Sequence, residues 1–220
     1  MLRHAGHILL SETEGRKWTA RHKQFSKEQE LAGLFRGWVP NGYADSQTRI
    51  LYVGKATSGE FAGDSEERES FNKGGSAFWN FARQIAREIG CDDPRLPCIA
   101  WSNISKISIR GIEARPELVK GFEDQATSTL EYEIGEANPH VVVFVTMHFS
   151  DEVVQRVAEW STNAVWSKSE EESSNPKEHD IWYRRRQDGR AVLWMRHPMH
   201  AYEETLDFAA KKIASLVKYP

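Results

Sequence analysis

Four short segments carry the residue types with which a protein does chemistry. Gly54-Lys55-Ala56-Thr57-Ser58-Gly59 sets a primary amine and two hydroxyls in a glycine-bounded turn whose backbone N–H groups can cradle an oxygen atom. Trp101-Ser102-Asn103 ends in a carboxamide, which is donor and acceptor in one group. Val145-Thr146-Met147-His148 and Arg196-His197-Pro198-Met199-His200 supply a hydroxyl, three imidazoles and a guanidinium. An oriented imidazole can stabilise developing charge through a hydrogen bond, and a desolvated lysine can act as a nucleophile. Each residue also has a structural reading: Asn103 as a loop cap, His197 as a hydrogen-bonded core histidine that sets the Pro198 turn, and Lys55 as a phosphate contact. Gly54-Lys55 is not a P-loop, because no Gly stands five residues earlier and Ala56 follows the lysine where Ser or Thr is needed. His148 and the His197/His200 pair lack further Cys, Asp or Glu at ligand spacing, so neither a metal nor another cofactor is expected.

Each segment directly follows an apolar run, and those runs are the elements that must position it. Ile50 to Val53, Ile99 to Trp101 and the continuous Val141 to Val145 read as buried parallel strands. Ile181 to Arg186 and Ala191 to Met195 flank Asp188-Gly189, a hairpin turn signal. Helices are predicted between them. One is capped by Ser76 and runs to Gly90; one starts at Pro116 and carries Leu118, Phe122, Leu130 and Ile134. Another is capped by Ser150 and carries Val153, Val154 and Val157, and the last spans about Tyr202 to Val217. Ahead of the first strand, Ser26 and Gln29 form a capping-box pattern for a short helix through Phe35, so residues 1–45 read as an N-terminal helical extension. Ser167 to Asp180, rich in Glu and Ser, reads as a mobile loop. Strands alternating with helices imply an α/β fold, a three-layer αβα arrangement around a mostly parallel four-stranded sheet. Ligands of such sheets bind beyond the carboxyl ends of the strands, where all four segments fall.

The 220 residues are 40% hydrophobic, enough for one core, and a single domain is expected over 1–220. No apolar run is long enough to span a membrane, and the chain reads as soluble, unsecreted and cytoplasmic. Cys91 and Cys98 are too few for a disulfide framework and read as reduced and structural. A net charge of −3 argues against coating of nucleic acid but leaves room for a local basic face. Two clusters qualify: Arg16, Lys17, Arg21, Lys23 and Lys27 around Trp18 and Phe25, and Arg184 to Arg186 continuing to Arg190 and Arg196. Arg184, Arg186 and Arg190 alternate along a hairpin and are the candidate DNA-binding set together with Arg196; the alternative for each cluster is a solvated charged surface.

The order of motifs resembles the uracil-DNA glycosylase superfamily, which has a Gly-led motif after its first strand, an Asn after the second, Asn-Pro before the third and His-Pro after the fourth. Gly54, Asn103, Asn138-Pro139 and His197-Pro198 match that order, and Phe71, ahead of Gly74-Gly75, resembles the family's base-stacking phenylalanine. The resemblance covers Arg49 to Val217. It implies a DNA partner, a lesion-bearing duplex or a single strand, from which a base is flipped into the protein. Phe71 would stack on the base, Asn103 would read its edge, and Gly54, Lys55, Ala56, Thr57 and Ser58 would hold a base oxygen or a flanking phosphate. His197 would stabilise the leaving base as its N-glycosidic bond is hydrolysed.

The first motif departs from the family, which places an acidic or amide residue there; Lys55 and Ala56 stand in its stead. Two readings follow: a DNA glycosylase, or a catalytically silent member of the same fold that binds DNA or protein. A third is an α/β enzyme for a free nucleotide or small metabolite in the same crevice.

Overall fold

The computed structural model describes residues 10–25, 31–32, 34–35, 37–56, 75–109, 116–158, 167–168 and 181–218. Thr57, Ser58 and Phe71, and the expected mobile loop from 169 onward, lie outside them.

Four runs of apolar residues form a parallel core. Strand β2 (Ile50–Gly54) pairs with β3 (Ile99–Asn103) on one side and β5 (Val141–Phe144) on the other, and β5 pairs with β8 (Ala191–Met195). The sheet does not stop at four strands. Because β8 is also the second arm of the Asp188-Gly189 hairpin, the first arm, β7 (Ile181–Arg185), must lie antiparallel beside it, and a two-residue β6 (Ser167–Lys168) extends the edge. The order is β3-β2-β5-β8-β7-β6, a mostly parallel sheet of five full strands and a short sixth. Ser167 and Lys168 are therefore strand, not the start of a loop.

Alternation along the strands splits the core into two layers. Leu51, Val53, Ala100, Val142 and Phe144 face helices α3 (Glu123–Ala137) and α4 (Asp151–Val157), whereas Ile50, Tyr52, Ile99, Val141 and Leu193 face α2 (Ala77–Glu88) and α5 (Glu203–Lys218). Ser76 caps α2 as its sequence predicts, its Oγ accepting from Trp79 N. Ser150 does not cap α4: it sits at φ +52° without a side-chain bond, and Asp151 Oδ1 instead accepts from His148 N at 2.9 Å. The helix expected from Pro116 is a 3-10 turn at Pro116–Leu118, and the α-helix itself begins at Glu123.

The N-terminal helix is misplaced by the sequence reading. Helix α1 spans Glu12–Phe25, opened by Ser11, whose Oγ accepts from Glu14 N at 3.2 Å. Leu31–Ala32, expected to be helical, instead form β1, antiparallel to β4 (Ser108–Ile109), and Trp38 bridges to Trp101 on the outer side of β3. Trp38, exchanging two backbone hydrogen bonds with Trp101, thus covers part of the outer edge of β3. Helix α1 is no appendage either. Trp18 is fully buried beside α3, its indole N–H donating to Thr129 Oγ1 at 3.0 Å and its ring edge-on to Phe122. Arg16, Lys17 and Lys23 of α1 are exposed, Arg16 pairing with Glu12 and Lys17 with Glu14, whereas Arg21 turns inward, donating to Lys120 O with its guanidinium over the Phe122 ring. No helix of the described residues is long and apolar enough to cross a membrane.

Because Trp18 completes the core, Trp18→Ala should lower the unfolding free energy by about 3–5 kcal/mol in urea titration. A stability equal to wild type would restore the N-terminal segment to an extension.

Candidate functional site

The parallel registers bring the strand ends level. Gly54 lies opposite Asn103 at the last rung of the β2–β3 ladder, and the ladder continues past both strands, with Ile104 N donating to Gly54 O and Ser105 N to Lys55 O, each at 2.9 Å. On the other side Val145 N donates to Val53 O, and Met147 N to Met195 O. Gly54, Asn103, Thr146 and His197 thereby share one end of the sheet, as their places after successive strands predict.

Glycine at position 54 is required by close approach. A Cβ there would lie 2.4 Å from Asn103 Oδ1 and 3.1 Å from the Phe78 ring. Asn103 is 1% exposed, and its Nδ2 has no hydrogen-bond partner among the described residues. A buried amide donor without an acceptor carries a desolvation cost, which a ligand acceptor would remove. The buried Thr146 hydroxyl also lacks a partner among the described residues.

Phe78, which the sequence reading missed, is the wall of the site. It leaves the first turn of α2, lies 4.5 Å from the Tyr52 ring, and stacks on His197 with centroids 5.9 Å apart at 22°. Its signal was present in the sequence as an aromatic in the first turn of a helix capped by Ser76. Trp101 and Trp79 back it, at 6.0 and 5.2 Å. Asn103 is on β3 and His197 follows β8, so the sheet alone would hold them apart; Phe78, touching the Gly54 position and His197, spans the gap.

His197 has a defined protonation state. Its Nδ1 accepts from Met199 N at 3.3 Å, so the ring proton resides on Nε2. Burial first, then the Lys55 and His200 charges, pushes its pKa down to about 4. At neutral pH it is an uncharged N–H donor. The rings of His197 and His200 stand 6.2 Å apart, and among the described residues no group of three or more His, Cys, Asp or Glu could hold a metal ion. Lys55 and Ala56 are half-buried at the same end, Arg196 is exposed beside His197, and Met199 is 62% exposed.

The arginine hairpin is elsewhere. Its turn precedes β8, so it lies at the amino ends of the parallel strands, away from His197. Arg186 falls just past β7 and turns inward: its guanidinium makes a two-pronged pair with Glu131, both N···O distances 3.0 Å, and donates to Val157 O. Arg190 is held by Asp188 and by Asn138 Oδ1. Asn138 itself sits at φ +44° and ends α3, so Asn138-Pro139 is a helix stop at that same remote end. Arg184 is half-buried, with Nη1 lacking a partner among the described residues. Of the four arginines expected to contact DNA, Arg196 alone stands by the site.

A second polar group lies behind Asn103 on the opposite face. Lys106, Ser102 and Glu133 are fully buried, and Lys106 Nζ donates to Ser102 Oγ and Asn103 O, both at 2.6 Å, and to Glu133 Oε2 at 2.8 Å. Burial pushes the lysine's pKa down and the carboxyl's up, each opposed by the charge of the other.

Compared with known proteins, the chain matches no protein-family model and no curated protein.

Two outcomes are expected from these contacts. In an NMR titration His197 should carry its proton on Nε2 and protonate near pH 4, well below a free histidine at about 6.5. Since the unfolded chain binds that proton first, stability should fall as pH drops from about 6.5 towards 4; protonation at the free value would remove the buried, neutral assignment. Arg186→Ala should cost about 3 kcal/mol of stability by leaving its partners unpaired. An Arg186→Ala chain as stable as wild type would return Arg186 to the solvated surface.

Proposed function

We propose that this chain is a DNA glycosylase-like protein of the uracil-DNA glycosylase type, which receives a base turned out of DNA between Asn103 and His197 and hydrolyses its N-glycosidic bond. The observation that carries this reading is a pair of oriented, uncharged N–H donors around one aromatic ring: Nε2 of His197, its tautomer set by Met199 N, and Nδ2 of Asn103, which has no partner among the described residues, with Phe78 beside both. A flipped base needs an aromatic face and donors along its edge. As the bond breaks, negative charge grows on the leaving base, and fixed donors stabilise it most in the transition state. A neutral imidazole serves this role while leaving its proton where it is. Lys55 and Arg196, at the same end, suit flanking phosphates, and the exposed Met199 suits insertion between bases.

One observation favours a second reading, a silent base-binding module. Lys55 and Ala56 occupy the positions where a carboxylate would stabilise a sugar cation, and the buried Glu133 carboxylate is committed to Lys106 and Ser102 on the other face of the sheet.

Oligonucleotides bearing uracil, hypoxanthine, thymine opposite guanine or alkylated bases, assayed for abasic sites, test the proposal. Cleavage of one substrate is expected, with His197→Ala and Asn103→Ala each slowing the single-turnover step by about 100- to 1000-fold and weakening binding far less. Lys55→Ala should retain activity; its inactivity, together with borohydride trapping of the wild type on DNA, would make the amine a nucleophile. Wild-type rates in both site variants would remove the mechanism, and lesion binding without cleavage would select the silent module.

A further inference from the structure

We infer that Lys106 is a positioning residue for the site: from the opposite face of the sheet its ammonium grips the backbone carbonyl of Asn103 and so fixes the direction in which the Asn103 carboxamide points. This rests on the reading of Asn103 as the group that meets the base.

Asn103 is the last residue of β3, and the two residues after it stay bonded to the β2 side. At that point the ladder donors on its inner side are spent on β2, through Ile104 N and Ser105 N. The carbonyl of Asn103 is satisfied instead by Lys106 Nζ at 2.6 Å, which closes the chain on itself over three residues. The same nitrogen's two other contacts, Ser102 Oγ and Glu133 Oε2, use up the three donors of an ammonium. Ser102 Oγ in turn donates to Glu133 Oε2, which ties the fork to helix α3. Two further bonds stitch the loop, one from outside and one within it: Phe35 N donates to Lys106 O at 2.8 Å, and Ser105 Oγ to Ile107 O at 2.8 Å. Asn103 therefore has its carbonyl anchored on one face and, on the other, a carboxamide whose Nδ2 has no partner among the described residues.

Stability alone does not explain the arrangement. A buried ion pair is replaced by apolar side chains of similar volume at little or no loss, so its presence points to what it holds rather than to what it contributes to folding. What it holds is a strand-end residue whose side-chain Nδ2 has no partner among the described residues. Glu133 supplies the counter-charge that lets a lysine reside there, and Ser102 fixes the angle of approach.

The test separates position from stability. The triple variant Ser102→Ala/Lys106→Met/Glu133→Met removes the fork and keeps its volume; Lys106→Met alone, in which Glu133 can be protonated in place, is the second variant. The side-chain amide of Asn103 is followed by NMR on protein labelled at asparagine, and assigned by its loss in Asn103→Ala. In whichever variant folds, both amide proton signals should move to the positions of a freely rotating carboxamide, while thermal stability in the triple variant stays near that of the wild type. If cleavage of a damaged base is established, its single-turnover rate should drop about 100-fold, the usual result of a misplacement near 1 Å. Unshifted Asn103 amide signals in a folded variant would overturn the inference. Because that signal needs no substrate, an enzyme reading that fails would leave the positioning result standing, and the reverse also holds.

Discussion

The site depends on one steric constraint, the absence of a side chain at Gly54. Parallel pairing sets this residue level with Asn103 at the final rung of the ladder, and the carboxamide oxygen occupies the volume that a Cβ would take. With that space open, the Asn103 carboxamide oxygen packs against the end of β2 and the Phe78 ring meets the same point from α2. The stack of Phe78 on His197 then links the first two strands to the last parallel one. Any larger residue at position 54 would push Asn103 and Phe78 apart and break this chain of contacts at its origin.

A second constraint works at right angles to the first. The sheet is one backbone thick at its strand ends, so a residue there meets two environments at once. On the side of α2 and α5 the site end is aromatic and holds donors in waiting. On the side of α3 the same backbone rests on a fully satisfied ammonium. Low dielectric makes both halves consequential, since a buried bond holds firmly and a buried donor left open is a standing cost.

Much of this was legible in the sequence, and the omissions have physical causes. Continuous apolar runs gave the four parallel strands because strands buried on both faces need no alternation, and the segments that follow them fell where an open α/β sheet binds ligands. The Asp-Gly turn gave the hairpin, but its first arm was not counted in the sheet, though β8 could not be internal without a neighbour. Helix α1 was overlooked because its composition is mostly polar and one tryptophan carries its docking; Ser11 and Glu14 do form a capping pattern there, while the better-looking one at Ser26 precedes Leu31–Ala32, which pair as strand β1. Period-two reasoning placed Arg184 and Arg186 on one face, yet Arg186 lies beyond the last strand residue and follows Glu131 inward. The Lys106 fork had no local signature, because its acid stands 27 residues along the chain and is recognisable only after α3 packs.

The docking of Trp18 beside Thr129 has a consequence for synthesis on the ribosome. The two residues are 111 positions apart, and at roughly 5–20 residues per second the helix that carries Trp18 is made about 6–22 seconds before its acceptor exists. During that interval the indole has no native surface to enter. The charged flank of α1, with Glu12, Glu14, Arg16 and Lys17 paired along it, keeps the waiting segment hydrated and discourages self-association. Closure of this layer is thus a late event of high contact order, and α1, made well before α3, is secured only after it.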